Sequence, residues 1–339
     1  MISDTGSRVE AMEGAARPSA KGAALPLLTS PPTEVAAGVF GMRILMVNVY
    51  FVATPTGWVL IDAGLPHTGP FIKTAAKQIF GADASPEAII LTHAHFDHVG
   101  ALKDLLAQWP ETPVYAHVLE RPFLTGQSKY APPDPWVGGT MSLASMTYPR
   151  GPIDIGDRLH DLPTDRTVPH LDDWRWLHTP GHSPGHVSLF REQDRTLVAG
   201  DAFVTAKQET LIGVLTQAPG IFGPPAYFTH DWEEAAESLR SIIDLHPAVA
   251  ATGHGRALAE DDLSPRIDDL LQHFRERAIP KGGRYSTEPA VYNESGLVSV
   301  PPGRTPPLRY IAGAILVGGA VAIAASSLLS ERGSRRPHA

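Results

Sequence analysis

The sequence predicts an α+β fold of four layers, in which two β-sheets pack face to face between outer helices. The chain has 339 residues and is 43% hydrophobic, which is enough material for a full core. Apolar strands alternate with amphipathic helices in an early half of the chain and again in a late half. Because a sheet covered by helices on one face must bury its other face, two such halves favour an αββα sandwich.

The early half predicts strands and helices in alternation. A hairpin is predicted over 45–53, and the run Trp-Val-Leu-Ile-Asp predicts a buried strand over 58–62. A helix follows over 71–79 and an apolar strand over 88–92. The next helix, over 98–109, has apolar residues at i, i+3, i+4 and i+7, so one of its faces is expected to pack on the sheet.

The late half repeats the alternation after a long irregular stretch over 120–172 that is rich in proline and glycine. Four strands and two helices are predicted there, with the strands over 174–178, 187–191, 196–201 and 248–252 and the helices over 231–245 and 264–279.

Composition divides the chain into five segments. They are a mobile N-terminus (1–35), a folded body (36–280), a Pro/Gly-rich linker (281–307), an apolar helix (308–329) and a basic tail (330–339).

The apolar segment predicts a membrane attachment. Residues 310–329 contain no charged side chain, and arginines flank them on both sides. Their length matches the thickness of a bilayer, so a transmembrane helix over 308–329 is predicted, with a buried Ala/Gly-rich core helix as the alternative. No signal peptide is recognised. We therefore expect a membrane-anchored protein, attached by its C-terminal tail, with its folded body in the cytoplasm.

Charge and cysteine content exclude several classes of protein. The net charge is −8, and because five arginines and one acidic residue follow residue 300, the preceding residues carry −12. A body this acidic argues against nucleic-acid binding, which needs basic surfaces. The chain has no cysteine, so disulfides and thiolate metal sites are excluded and any metal must bind through His, Asp or Glu.

A dense histidine motif follows the strand predicted over 88–92. Residues 92–100 are Thr-His-Ala-His-Phe-Asp-His-Val-Gly, which places three imidazoles and one carboxylate within six residues. Neutral imidazole nitrogens with a carboxylate oxygen suit a divalent metal ion. A single histidine is usually a packing residue, but four polar groups together at the end of a buried strand predict a metal site.

This His-x-His-x-Asp-His pattern resembles the metallo-β-lactamase superfamily, and further landmarks follow its order. Asp62 ends a strand before Gly64, and residues 178–186 are His-Thr-Pro-Gly-His-Ser-Pro-Gly-His. Two more strands end at Gly200-Asp201 and at Gly253-His254-Gly255. The likeness extends over about residues 40 to 275, and it implies that the body is a hydrolase domain with the four-layer sandwich of that family.

The resemblance implies a centre of two divalent metal ions, with zinc expected and iron or manganese as alternatives. Its ligands would be His93, His95 and His182 at site one, Asp97, His98 and His254 at site two, and Asp201 as a bridge together with a water or hydroxide. Asp97 would also orient the nucleophile. Asp62 and His186 are expected behind the ligands, where they would hold a ligand or a loop in place.

The implied reaction is hydrolysis of a small ester, lactone or thioester by the metal-bridging hydroxide. A substrate pocket could be lined by residues of the long loop and of the region after residue 201, namely Tyr130, Trp136, Met141, Met146, Tyr148, Phe203, Phe222, Tyr227 and Phe228, although such residues also pack over sheets. The expected partners are a small-molecule substrate and a membrane, without nucleic acid, and the oligomeric state is not predicted.

The sequence is also compatible with other functions. The absence of cysteine excludes β-lactamases that use a Cys ligand, and Val204 stands where lactonases of the family have a tyrosine after the bridging aspartate. A phosphodiesterase, a β-lactamase-type amide hydrolase and a non-catalytic, membrane-tethered metal-binding regulatory protein are the other candidates.

Overall fold

The computed structural model describes residues 29–303 except residue 83. Its first sheet has seven strands in sequential order, with β1 to β4 antiparallel and β4 to β7 parallel. The strands are β1 (Thr33–Ala36), β2 (Val39–Ile44), β3 (Val47–Ala53), β4 (Trp58–Ile61), β5 (Ala88–Ile90), β6 (Val114–Ala116) and β7 (Leu159–Asp161).

The second sheet has six strands in the order β13-β12-β11-β10-β9-β8. All neighbours are antiparallel except β11 and β12, which are parallel. The strands are β8 (Thr167–Val168), β9 (Leu171–His178), β10 (Val187–Arg191), β11 (Thr196–Gly200), β12 (Val249–Thr252) and β13 (Leu258–Ala259). A small hairpin of β14 (Val291–Asn293) and β15 (Gly296–Ser299) follows.

The helices lie between these strands along the chain. In the described residues they are α1 (Gly69–Phe80), α2 (Phe96–Val99), α3 (Leu102–Gln108), α4 (Arg121–Leu124), α5 (Thr140–Ala144), α6 (Leu211–Thr216), α7 (Trp232–Ile243), α8 (Ser264–Gln272) and α9 (Phe274–Arg277). Four of the elements, α4, α5, β7 and β8, lie in the stretch 120–172 that the sequence pattern leaves irregular. They have two to five residues each, which is too short for a periodicity to be recognised.

Strand β4 shows how the first sheet contributes to two cores. Its side chains alternate between the two faces of the sheet, as the pleat requires. Trp58 and Leu60 pack with α1 and α3, whereas Val59 and Ile61 pack between the two sheets. The outer face of this sheet is therefore covered by helices and its inner face by the second sheet.

The second sheet divides in the same way. Leu197 of β11 packs with α7 and α8, and the adjacent Val198 packs between the sheets. Helices thus cover both outer faces and an apolar core lies between the sheets. The predicted layered α+β sandwich is confirmed.

The strands that precede the predicted metal ligands end at one edge of the sandwich. Strands β4 and β5 are parallel neighbours, and β9, β11 and β12 share one direction because β10 is antiparallel to both β9 and β11. The two sheets are also tied together at this edge. Asn48 Nδ2 donates to the carbonyl oxygens of Thr252 at 2.8 Å and Gly255 at 2.7 Å.

Residues 281–303, which the sequence predicts as part of a linker, are folded against the body. Tyr285 is only 3% exposed and donates its hydroxyl proton to the carbonyl oxygen of Pro132 at 2.7 Å. Tyr292 of β14 accepts a hydrogen bond from the Ala131 N–H at 3.1 Å. The proline-rich composition of this segment predicts a linker, and it does not indicate that two aromatic side chains anchor the segment to the body. At the other end, the predicted mobile N-terminus includes β1, and its first 28 residues lie outside the described part.

The structure contradicts the predicted membrane localisation. Across residues 29–303, residue 83 apart, no helix combines the length and hydropathy that a membrane crossing needs. The longest helices of this part, α1 and α7, have 12 residues each, or about 18 Å, against a hydrocarbon thickness of about 30 Å. The apolar segment 308–329 and the basic tail 330–339, which motivated the prediction, lie outside the described residues.

Candidate metal centre

Asp62 follows β4 in a tight turn. Its φ of 62° lies in the left-handed region, where Asp and Asn are the non-glycine residues most readily found. The turn directs its carboxylate at the next strand's end, so that Oδ1 accepts from the Thr92 N–H at 2.8 Å. Oδ2 accepts from Thr92 Oγ1 at 2.8 Å and from His98 Nδ1 at 2.7 Å. Asp62 therefore lies behind His98 and holds one side of that ring.

Four of the five predicted imidazole ligands are oriented through Nδ1. The contacts are His93 with Thr92 Oγ1 (3.1 Å), His98 with Asp62 Oδ2 (2.7 Å), His182 with Thr229 Oγ1 (3.2 Å) and His254 with Met46 O (2.7 Å). Both threonine hydroxyls donate elsewhere, to Asp62 and to the carbonyl oxygen of Pro225, so they accept from the rings. With its proton on Nδ1, a neutral ring presents the lone pair of Nε2, which is a form that binds metal.

The second half of the chain supplies the other predicted ligands, and together the seven form the ligand cluster. Asp201 follows β11, and its Oδ2 lies 3.3 Å from His182 Nε2, 3.2 Å from His254 Nε2 and 3.6 Å from His98 Nε2. His95 differs from the other imidazoles because its Nδ1 faces the cluster, 2.9 Å from His182 Nε2. The seven predicted ligands are 0–6% exposed.

Potential ligand atoms within 4.8 Å of one another form three overlapping groups, which are His93 with His95 and His182, His93 with His98 and Asp201, and Asp97 with His98 and His254. The first and third groups are the ligand sets expected for two sites. The second group contains Asp201 together with one histidine of each set, as a bridging position would require.

Burial and neighbouring charges set the protonation of the cluster. Burial lowers the pKa of His93, His95 and His182 well below its ordinary value, so these rings are neutral and their lone pairs are free. Burial acts in the same direction on His98, but Asp62 and Asp201 raise its pKa well above the ordinary value. For Asp201 burial raises the pKa, and the adjacent His254 and His98 outweigh it, so the pKa is well below the usual range.

The arrangement fits a pair of divalent ions. Within the described part of the chain, Nε2 of His93, Nε2 of His98 and Oδ1 of Asp201 are buried without a hydrogen-bond partner. An unpaired buried polar atom costs about 1–3 kcal/mol, so several of them in one cluster are retained only if another group satisfies them. Five imidazoles and two carboxylates are also a donor set that zinc and other divalent transition metals accept. These residues could therefore hold two ions.

His186 and two glycines support Asp201. The Asp201 N–H donates to His186 Nε2 at 2.8 Å, and Thr179 Oγ1 contacts the other ring nitrogen at 2.9 Å. A Cβ on Gly200 would lie 2.5 Å from His186 Nε2, and one on Gly253 would lie 2.0 Å from Asp201 Oδ1. His186 thus lies behind the cluster, and both glycines are needed for the close approach.

The predicted pocket residues separate into two sets. Tyr148 and Tyr227 lie together beside the cluster, and with Met46, Met141 and Phe228 they form what we call the apolar cluster. It adjoins the ligands, because the Phe228 ring stacks on His95 at a centroid distance of 4.6 Å.

The other predicted pocket residues lie outside the apolar cluster. Tyr130 is fully buried and stacks on Phe123 at 3.9 Å, and Phe203 lies in the core between the second sheet and its helices. Phe222 pairs with Val204 at a surface cavity of about 350 Å³. Trp136 lies in a short turn at Pro135–Val137, and Met146 is half-buried outside the apolar cluster. An aromatic residue in a loop predicts burial, but it does not tell which core it enters.

Several supporting residues were not predicted. Thr92 and Thr229 orient His93 and His182, and the carbonyl oxygen of Met46 orients His254. Thr92 directly precedes the histidine motif, so its position is a signal that could have been used. Thr229 belongs to no motif and is 47 residues distant from its partner in the chain.

Comparison with known proteins agrees with the geometry. The sequence profile of the metallo-beta-lactamase superfamily matches residues 42–254. A protein of Bacillus subtilis (strain 168), described as the probable metallo-hydrolase YflN, is 47% identical over 245 residues, which cover 71% of this chain and 92% of that protein. Thioesterase pkgB of Emericella nidulans is 25% identical over 218 residues, 64% of this chain and 48% of that protein.

A solved structure described as the first B3 metallo-beta-lactamase with an active site glutamic acid is similar with a TM-score of 0.50 and 19% identity, covering 76% of this chain and 94% of that chain. At this identity the likeness concerns the fold alone. The matched residues 42–254 include all seven predicted ligands, and the relative that is 47% identical extends over most of the folded body. This chain belongs to the metallo-beta-lactamase superfamily.

Proposed function

We propose that the protein is a hydrolase with two divalent metal ions that cleaves a small carboxylic ester, lactone or thioester with an apolar group. The observation that carries the proposal is the buried cluster of five imidazoles and two carboxylates, with an apolar surface directly beside it. One ion would be held by His93, His95 and His182, and the other by Asp97, His98 and His254. Asp201 would bind both ions. Zinc is our first candidate because imidazole-rich sites with carboxylates suit it, and iron or manganese would fit the same donors.

When bound, two divalent ions supply Lewis-acid polarisation of a carbonyl oxygen and a lower pKa for the attacking water. The protein's own residues position the reactants. Asp97 lies at the edge of the cluster, with Oδ2 3.5 Å from His254 Nε2, and its carboxylate would orient the water as a hydrogen-bond acceptor. In the reaction the water oxygen bonds to the carbonyl carbon, the C–O or C–S bond breaks, and the leaving oxygen or sulfur takes up the proton that the water releases.

Tyr148 is our candidate for a direct contact with the substrate. Its hydroxyl is buried and has no hydrogen-bond partner within residues 29–303. Burial and, secondarily, Asp97 raise the pKa of Tyr148, so the phenol keeps its proton at neutral pH. A neutral phenol beside the cluster can donate a hydrogen bond to the substrate carbonyl or to the leaving group.

The surroundings favour an apolar acyl group over a phosphodiester. The apolar cluster is continued by α6, where Val214 packs against it while Ile212 and Leu215 are 75% and 68% exposed. Exposed apolar side chains at the approach to a site favour apolar ligands. The acidic body gives no general attraction for polyanions. The similarity to a protein described as a thioesterase supports keeping thioesters in the substrate class.

The proposal is tested with a matched substrate panel. Purified protein loaded with two equivalents of zinc would be assayed on p-nitrophenyl butyrate, a γ-lactone, a butyryl thioester, bis(p-nitrophenyl) phosphate and a cephalosporin. We expect turnover of at least one of the first three, a loss of more than about 100-fold in Asp201→Asn, and unchanged turnover in His273→Ala, which alters an exposed histidine. Turnover of the phosphodiester or cephalosporin alone would contradict the proposed bond class, and turnover unaffected by Asp201→Asn would contradict the proposed site.

A further inference from the structure

Glu120 is a fully buried carboxylate that no sequence motif marks. It ends a short turn over Val118–Glu120, after β6, and its relative exposure is 0%. Four donors surround it. Oε1 accepts from Ser183 Oγ and from the Gly185 N–H, both at 2.8 Å, and Oε2 accepts from the Ala94 N–H at 2.9 Å and from the Tyr130 hydroxyl.

The four donors belong to the loops that carry the site-one histidines, or lie directly against them. Ala94 stands between His93 and His95 in the chain, and the Tyr130 ring lies 4.4 Å from the His95 ring. Ser183 directly follows His182, and Gly185 lies two residues further on. One oxygen of Glu120 therefore serves the loop after β5, and the other serves the loop between β9 and β10.

The two loops come from different sheets, so the carboxylate connects the two halves of the sandwich. The fit is close: a Cβ on Gly185 would lie 2.8 Å from Glu120 Cγ and 2.9 Å from its backbone nitrogen. A buried carboxylate is costly unless several donors compensate it. Burial raises the pKa of Glu120, and its four hydrogen bonds oppose this because they favour the charged form.

We propose that Glu120 is a positioning residue that fixes His93 and His95 relative to His182 and thereby sets the metal affinity of site one. It touches neither metal nor substrate and acts through the backbone of the two ligand loops. The inference rests on the proposed two-metal function. It goes beyond it by assigning the support of the two sites to different carboxylates, Glu120 for site one and Asp62 for site two.

Glu120→Gln separates the inference from a general effect on folding. Glutamine keeps the shape of the side chain but has one acceptor oxygen, so its NH₂ group must face either the Ala94 N–H or the Gly185 N–H. Either orientation leaves one backbone donor unpaired and displaces one ligand loop. We expect the affinity for one of the two zinc ions to fall about 10- to 100-fold, while the affinity for the other ion stays within about twofold of wild type.

The readout is a zinc titration of the full-length apoprotein against a chromophoric chelator, with the d–d absorption of the Co²⁺-substituted protein as a second measure. Asp134→Asn is the matched control. Asp134 is a 1% exposed carboxylate that accepts from the backbone N–H groups of Trp136 and Arg284, neither of which is a predicted metal ligand. This control should lower the melting temperature without changing either zinc affinity or the Co²⁺ spectrum.

Ser183→Ala keeps the test decisive if Glu120→Gln fails to fold. It removes one of the four donors, and we expect a selective loss of about 2- to 10-fold in affinity for the same single ion. Wild-type affinity for both ions in the folded variants would overturn the role of Glu120. An equal loss of affinity for both ions, or the same loss of affinity in Asp134→Asn, would also overturn it, because that pattern indicates general destabilisation. A wild-type protein that binds fewer than two ions would instead contradict the proposed function.

Discussion

Replacement of Asp62 by asparagine should weaken one metal site by a defined amount. Asparagine tolerates the φ of 62° at this position, so the backbone turn is retained. Its Oδ1 can still accept from the Thr92 N–H, and its NH₂ group can donate to the Thr92 hydroxyl, which then turns its own proton toward Oδ1 at 3.1 Å. The contact that cannot be retained is the one with His98, where the NH₂ group would face the Nδ1 proton across 2.7 Å.

The magnitude follows from this single lost contact. His98 must either turn away from the new amide group or move its proton to Nε2, and in both cases the Nε2 lone pair no longer faces the cluster. Loss of such a supporting partner costs about 10- to 100-fold in metal affinity, which is about 1.4–2.8 kcal/mol. Asp62 contacts His98 and Thr92 and none of the site-one ligands except through Thr92. We therefore expect the loss at site two, with site one weakened by less than about threefold.

The assay is the zinc titration used for Glu120→Gln, performed on Asp62→Asn and on the double variant. If the two carboxylates support different sites, each single variant lowers the affinity for a different ion. The double variant then lowers the affinity for both ions, with additive changes in binding free energy. Asp62→Asn with two wild-type affinities would refute the reasoning about the His98 tautomer. A lower affinity for the same ion in both single variants would refute the division of support between the two sites.

Three further predictions concern the packing, the metal and the pH. Gly253→Ala should lower the free energy of unfolding by about 1–3 kcal/mol and reduce bound metal below one ion per chain, because the added Cβ would lie 2.0 Å from Asp201 Oδ1; urea unfolding and metal analysis test this. Removal of metal by a chelator should lower the melting temperature, and zinc at 100 times its Kd should restore about 2.7 kcal/mol per site; unchanged melting would argue against a metal centre. Burial lowers the pKa of His230 to about 3, so below pH 6.5 only the unfolded state takes up its proton and stability falls with falling pH. Metal-free wild type should therefore lose about 1.5–2 kcal/mol more than His230→Gln between pH 6.5 and 5, and equal losses in urea unfolding would disprove this.

The parts of the fold that the sequence predicted are those with a long, regular pattern. The amphipathic helix predicted over 231–245 is found as α7, and the strand predicted over 187–191 is found with the same bounds as β10. Hydrophobic periodicity reports burial directly, so such elements can be recognised without tertiary information. The hairpin after residue 290 could not be recognised, because its stability depends on Tyr285 and Tyr292 packing against a distant part of the chain.

The candidate site was predictable where its residues are close in the chain or end a strand. His93, His95, Asp97 and His98 form one local motif, and the strand ends at Asp201 and His254 could be placed by family resemblance. Glu120 could not be found in this way. A lone glutamate in a loop is normally exposed, and its burial here is possible only because four donors from two separate loops meet at its carboxylate.

The candidate centre lies between the two halves of the sandwich, and neither half supplies all of the predicted ligands. The first half contributes the motif after β5, and the second contributes His182, Asp201 and His254. The separation of the ligands is therefore set by the contact between the sheets, and by a few hydrogen bonds that cross it. The Val187 N–H donates to the Thr92 carbonyl oxygen at 2.9 Å, and the Asn48 N–H donates to the Gly253 carbonyl oxygen at 2.7 Å. Glu120 makes a third connection at the same edge. Because packed sheets resist small displacements, these connections favour a fixed spacing between the ligands of the two halves, which is the preorganisation that the proposed two-metal function would need.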